Sequence, residues 1–182
     1  GDRIVFAPTG YDPEEREERR VASVGIQGFH QVVELTEPLN YTHHCSETTY
    51  GNKQATLQGE VALLSSNVVI RGGSLPQFQS TTQEPFGGRL LVTKHAEWMP
   101  EVMRAVIWSG TAHLSDIEFT QVGQARILWG AALRFENLGR TDSFLRRSAV
   151  HQSYHTAVSL QLTEQVAISD CAAYHTLGTT YE

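Results

Sequence analysis

Three residues have the types and spacing for acid–base chemistry: Arg134, Glu136 and His151. Arg134 and Glu136 flank Phe135, so on an extended strand both charged side chains leave the same face. His151 follows in a second alternating run, placed to come one structural repeat onward. Glycosidic cleavage commonly uses two carboxyl groups roughly 5 to 9 Å apart. A lyase step needs a base near a sugar C–H and a cation to hold a uronate. A carboxylate, an imidazole and a guanidinium from neighbouring strands could just form such a set. The same pattern also describes a surface ion pair beside a surface histidine, and an exposed pair contributes about 0–1 kcal/mol. The expectation is therefore an exposed Arg134–Glu136 pair and a surface His151, with no catalytic residue and polysaccharide cleavage as the alternative. Nothing resembles a nucleophile elbow, a phosphate-cradling glycine loop or a paired-cysteine metal site, and no cofactor is expected.

The elements that must carry these residues are strands. Residues 133–139 (Leu-Arg-Phe-Glu-Asn-Leu-Gly) alternate and end in a turn glycine, and residues 143–151 begin another short alternating run. Asp116-Ile117-Glu118-Phe119, Arg147-Ser148-Ala149-Val150 and Asp170-Cys171-Ala172-Ala173 lie over one another at offsets of 31 and 23 residues. Such periods are those of one coil of a solenoid. The fold class is read as all-β, a right-handed parallel β-helix.

The 182 residues suffice for one continuous core, and 40% hydrophobic with 19% charged residues is ordinary for a folded protein. A net charge of −6, with Arg126, Arg134, Arg140, Arg146 and Arg147 scattered, argues against a nucleic-acid surface. No apolar run approaches the roughly 20 residues that cross a bilayer, so a membrane is reached only through other parts of a parent chain. A start without methionine and an end just after a strand-like run suggest a piece of something larger. For Cys45 and Cys171 a mutual disulfide, partners elsewhere and free thiols are all open. Asn40-Tyr41-Thr42 fits the N-glycosylation acceptor in a loop, in keeping with an extracellular setting.

Earlier in the chain, residues 2–7 and 31–35 read as strands. The mixed-charge block 11–20 is either a short helix capped by Asp12 with Pro13 in its first turn or the exposed start of a strand through residues 21–24. Residues 40–58, rich in Thr, His, Tyr and Asn, read as a long loop. His43, His44 and Cys45 invite a metal, but neighbours on an extended chain point to opposite faces. Residues 59–73 hold two apolar runs joined by a polar corner, and residues 75–85 a Gln, Ser and Thr insertion. Residues 95–104, with Trp98 and Met99 near a proline, read as a loop folded back over the surface with its aromatics packed. Asp116 and Asp170, at equivalent repeat positions, hint at calcium, although calcium takes 6 to 8 oxygens.

In order, several stretches resemble a known pair of modules. Residues 1–5, Tyr11-Asp12-Pro13 and residues 39–43 are similar to the end of the extracellular domain named for its eight glycines. Residues 60–72, Phe86-Gly87-Gly88, Gly123-Gln124 and residues 135–139 resemble the segment and parallel β-helix repeats that follow it. The resemblance implies residues 1–58 as the C-terminal part of that domain and residues 59–182 as β-helix repeats continuous with it. Two branches share this layout, the cell-surface hyaluronidases and the fibrocystin and fibrocystin-L family. The first carries His-Phe-His where this chain has Arg134-Phe135-Glu136, and two histidines flanking the next strand. Here His151 matches the first of that pair and Gln161 stands at the second. The wording of residues 133–139 resembles the fibrocystin branch more. That branch implies a non-catalytic extracellular scaffold and adhesion segment at a cell surface, the ciliary or stereociliary membrane included. Its expected partners are extracellular proteins or neighbouring copies, with polysaccharide for the hyaluronan branch. A subunit of an extracellular filament or surface coat is a further alternative.

Overall fold

The computed structural model describes residues 1–73 and 86–182, so the insertion read at residues 75–85 lies outside the described residues. The chain divides into two compact units, Gly1–Ser65 and Ser66–Glu182. Both are built of strands, and there is no α-helix among the described residues.

The first unit carries an antiparallel sheet. Its strands are β1 (Arg3–Phe6), β2 (Glu17–Gln27) and β3 (His30–Leu35), and β6 (Val61–Leu63) joins beside β1 to give the order β3-β2-β1-β6. Both readings of the mixed-charge block hold in succession. Asp12 caps a 3-10 turn over Pro13–Glu15 by accepting the Glu14 N–H at 2.8 Å, and β2 then begins at Glu17. The long loop expected over residues 40–58 is corrected for its second half. β4 (Ser46–Tyr50) and β5 (Lys53–Leu57) pair as an antiparallel hairpin. Its two-residue turn starts at Gly51, whose φ of 62° suits the first central position that glycine fills without strain.

In the second unit β7 (Val68–Arg71), β8 (Leu90–Met99), β9 (Arg104–Ser109), β10 (His113–Ser115) and β11 (Ile117–Thr120) are followed by β12 (Leu133–Arg140), β13 (Phe144–Arg146), β14 (Ala149–Ser153), β15 (Val158–Glu164), β16 (Ala167–Ser169) and β17 (Ala172–Thr176). They form three sheets, in the orders β10-β13-β16, β17-β14-β11-β7 and β15-β12-β8-β9. Every pairing is parallel except β8 with β9. The three segments overlaid by sequence are in fact neighbours, Glu118 opposite Ala149 and Ala149 opposite Ala172. Alternation sends Phe119, Leu133, Phe135, Leu145, Val150 and Val158 into one core, which Ala132 and Ala157 at the strand starts also join. Corners between strands use left-handed backbone without glycine: Asp116, Arg147 and Asp170 have φ of 59, 43 and 54°. The loop expected over residues 95–104 is corrected as well. β8 runs on to Met99, a 3-10 turn spans Pro100–Val102, and β9 returns antiparallel with Trp98 opposite Ala105. Trp98 is exposed rather than packed.

Candidate functional site

β12 places Arg134 and Glu136 on one side because Phe135 between them is fully buried in the core. Their pair forms, with Arg134 Nε 3.2 Å from Glu136 Oε2, though not aligned as a hydrogen bond. The expectation of an exposed pair is corrected: Arg134 is only 6% exposed. Two residues account for this. Gln161, in register with Glu136 on the neighbouring β15, accepts a hydrogen bond from Arg134 Nη2 through its Oε1. Trp129, from the turn before β12, lays its ring over the guanidinium with Cζ 4.3 Å from the ring centroid, a cation–π contact.

His151 is corrected in the same direction. It is 1% exposed and not a surface residue. It stands on β14, in a different sheet from Arg134 and Glu136, and its Nε2 lies 2.8 Å from Oε1 of the buried Glu118 on β11. Glu118 also accepts the Ser66 N–H at 3.4 Å. Sequence reasoning passed over Glu118, although the overlay set Glu118 opposite Ala149 and hence diagonally from His151.

Of the carboxylates that hinted at calcium, Asp116 is held by a protein cation. Arg147, between them in the overlay, donates to both oxygens of Asp116, Nε to Oδ1 at 2.8 Å and Nη2 to Oδ2 at 2.6 Å. These bonds, helped by the Ser115 hydroxyl at 2.7 Å and opposed by desolvation, lower the Asp116 carboxyl from its ordinary 3.8 to about 2. A folded value below the unfolded one makes the pair stabilising above the ordinary aspartate range, and the contribution fades as pH falls toward 2. In Arg147→Ala the Asp116 carboxyl is expected to titrate upward, toward 3.8, when followed by carboxyl carbon shifts against pH. A titration still centred near 2 would assign the shift to another cause.

His43 is engaged within the first unit, its Nδ1 2.9 Å from the Ala7 carbonyl oxygen and its Nε2 3.3 Å from Glu17 Oε1. No group of three or more metal-ligating residues occurs among the described residues. Burial works to raise the Glu17 carboxyl, but the N–H groups of Asn40 and Tyr41, the His43 ring and the Arg19 guanidinium outweigh it and hold the group below its ordinary value. Glu17 thereby fixes the backbone of the acceptor triplet, while Asn40, Tyr41 and Thr42 remain exposed. Both cysteines are free. The Cys171 thiol donates to the Ser169 carbonyl at 3.1 Å, and burial pushes it up from its ordinary value. No helix of the described residues is long and apolar enough to cross a membrane.

Residues 102–181 match the protein-family model described as CEMIP beta-helix. The chain is similar to fibrocystin-L of Mus musculus, 28% identical over 210 residues that cover 98% of this chain and 5% of that protein. It is similar to a G8 domain-containing protein of Dictyostelium discoideum, 27% identical over 100% of this chain and 11% of the relative. A cell surface hyaluronidase of Danio rerio is 27% identical over 98% of this chain and 13% of its own length. The chain thus spans between 5 and 13% of the length of these relatives. The resemblance read from the residues is found again over nearly the whole chain.

Proposed function

We propose that this chain, similar end to end to fibrocystin-L and more distantly to the cell surface hyaluronidases, is a non-catalytic scaffold and adhesion segment of a larger extracellular or cell-surface protein. Residues 59–182 are the repeats of a right-handed parallel β-helix, and residues 1–58 are the C-terminal part of an eight-glycine-type domain continuous with it. The parallel registers at offsets of 31 and 23 residues, and the family match over residues 102–181, support that architecture. Its work is mechanical: stacked strands bury one apolar column, and the outer loops meet extracellular protein partners, neighbouring copies or polysaccharide. Asn40 carries an N-linked glycan, on a triplet that is exposed while its backbone is held by Glu17.

One observation carries the non-catalytic reading. An acid or base must reach its substrate within hydrogen-bond distance. His151, the histidine that matches the hyaluronan branch, is 1% exposed with its Nε2 against Glu118, and Arg134, Glu136 and Gln161 engage one another. The test is incubation of hyaluronan with the folded, secreted chain, with and without calcium, followed by sizing of the polymer. The polymer is expected to keep its length, and the secreted chain to lose mass on peptide N-glycosidase treatment in a manner abolished by Asn40→Gln. Depolymerisation that disappears in His151→Ala or Glu136→Gln would overturn the scaffold reading and move the chain to the cleaving branch.

A further inference from the structure

The turn at residues 127–130 is closed by the Gly130 N–H donating to the Ile127 carbonyl at 3.2 Å, and Trp129 takes its third position with φ +71°. Glycine is the ordinary occupant of such a position, because a side chain there crowds the backbone. The glycine of this turn stands one residue later for another reason. A β-carbon on Gly130 would lie 2.2 Å from the Gln124 carbonyl oxygen. The Gln124 N–H donates to the Gly130 carbonyl at 2.8 Å, and Arg89 donates to the Trp129 carbonyl at 3.0 Å. The surroundings therefore hold a bulky residue in a strained conformation, and its side of the turn is open: Trp129 is 49% exposed. The same backbone recurs at other non-glycine corners, Asp116, Arg147 and Asp170 among them, and at this turn what it fixes is the direction of an indole.

What lies around the ring suggests the ligand. One face of the indole rests on the Arg134 guanidinium. The same guanidinium meets the partly exposed Glu136 carboxylate and the Gln161 amide oxygen, so the partly exposed Gln161 keeps its NH2 as a donor. An aromatic face, a carboxylate acceptor and an amide donor are thus gathered about one buried cation. A pyranose offers the matching set, with a C–H face for the ring and vicinal hydroxyls that donate to the carboxylate and accept from the amide. Charge decides which sugar. The Arg134 and Glu136 charges meet each other at 3.2 Å and Arg89 donates to the Trp129 carbonyl, which leaves hydroxyls as the groups that the carboxylate and the amide can bind.

We infer that Trp129, Glu136 and Gln161 form a subsite for a neutral pyranose ring of an extracellular glycan. This names a ligand class for the adhesive surface and rests on the adhesion reading above.

The test is a saturation-transfer NMR titration of the whole chain with chitohexaose, cellohexaose and hyaluronan hexasaccharide. At least one neutral oligosaccharide is expected to bind saturably, with affinity falling about tenfold or more in Trp129→Ala, persisting in Trp129→Tyr, and unchanged in Trp98→Ala. Trp129→Gly, which removes the ring and the backbone conflict together, keeps the fold intact by circular dichroism and loses binding as Trp129→Ala does. The inference is overturned if neither neutral sugar binds, if binding ignores both Trp129→Ala and Trp129→Gly, or if the hyaluronan hexasaccharide binds more tightly than both neutral sugars. Any of these results beside intact hyaluronan in the depolymerisation assay leaves the scaffold reading standing. Neutral-sugar binding beside hyaluronan cleavage would sink that reading alone.

Discussion

Phe135→Ala is expected to destabilise the unit of residues 66–182 by about 3–5 kcal/mol, the range for truncating a buried aromatic in a core that collapses incompletely. Phe135 is fully buried, opposite Val92 on one neighbouring strand and Leu160 on the other, in one cluster with Phe119, Leu133, Leu145 and Val150. Its column is held by strand hydrogen bonds at a spacing of about 4.8 Å, so neighbours above and below cannot close the void without breaking register. Leu160→Ala, in the same column but 38% exposed, is expected to cost less, about 1–2 kcal/mol. Trp98, Trp108 and Trp129 all lie in this unit, so tryptophan fluorescence in a urea titration follows it and not residues 1–65. Equal costs for the two variants would mean that the column does not set the stability. The substitution also bears on the candidate site, since the burial of Phe135 is what turns Arg134 and Glu136 to the same outer side.

How far the residues foretold this follows from what alternation encodes. A period of two says which side chains point inward, and the overlay of residues 116–119 on 147–150 and 170–173 found the true pairing because Phe119, Val150 and Ala173 share one inward position. The overlay also held the answer to the calcium hint. Arg147 occupies the position between the two aspartates, so the repeat reads acid, base, acid. Alternation does not say what covers an outward face. Arg134 and His151 point outward by phase yet are buried, Arg134 beneath an indole from a turn that depends on a tryptophan with positive φ. No composition rule assigns Trp to a glycine position. The hairpin of β4 and β5 is hard to read because Ser46-Glu47-Thr48-Thr49-Tyr50 and Lys53-Gln54-Ala55-Thr56 show no apolar alternation, which leaves Gly51-Asn52 as the cue. Pro100 interrupts the strand pattern of residues 95–104 and so speaks for a loop, whereas in the structure it opens the turn between β8 and β9.

Glu118→Leu is expected to cost about 3–5 kcal/mol, comparable to Phe135→Ala, through a different cause. Glu118 and His151 are both buried and meet at 2.8 Å, so the carboxylate satisfies the His151 Nε2–H where water has little access. Removing the carboxylate leaves that donor desolvated, and His151→Leu leaves a buried carboxylate without this donor. A buried donor or acceptor stripped of its partner costs more than the intact bond contributes. The double variant Glu118→Leu/His151→Leu is therefore expected to recover part of the loss, a coupling that a urea titration of the four proteins measures directly. Glu118→Gln, which keeps an acceptor of similar size, is expected to lose less than Glu118→Leu. Single-variant losses that simply add, or that stay within about 0.5 kcal/mol of the parent, would mean that the pair does not hold β11 and β14 together. Strong coupling would give His151 a structural reason to be where it is, independent of any sugar chemistry. The match of this histidine to the hyaluronan branch would then carry no weight for catalysis here, because the side chain is already committed to Glu118 within the fold.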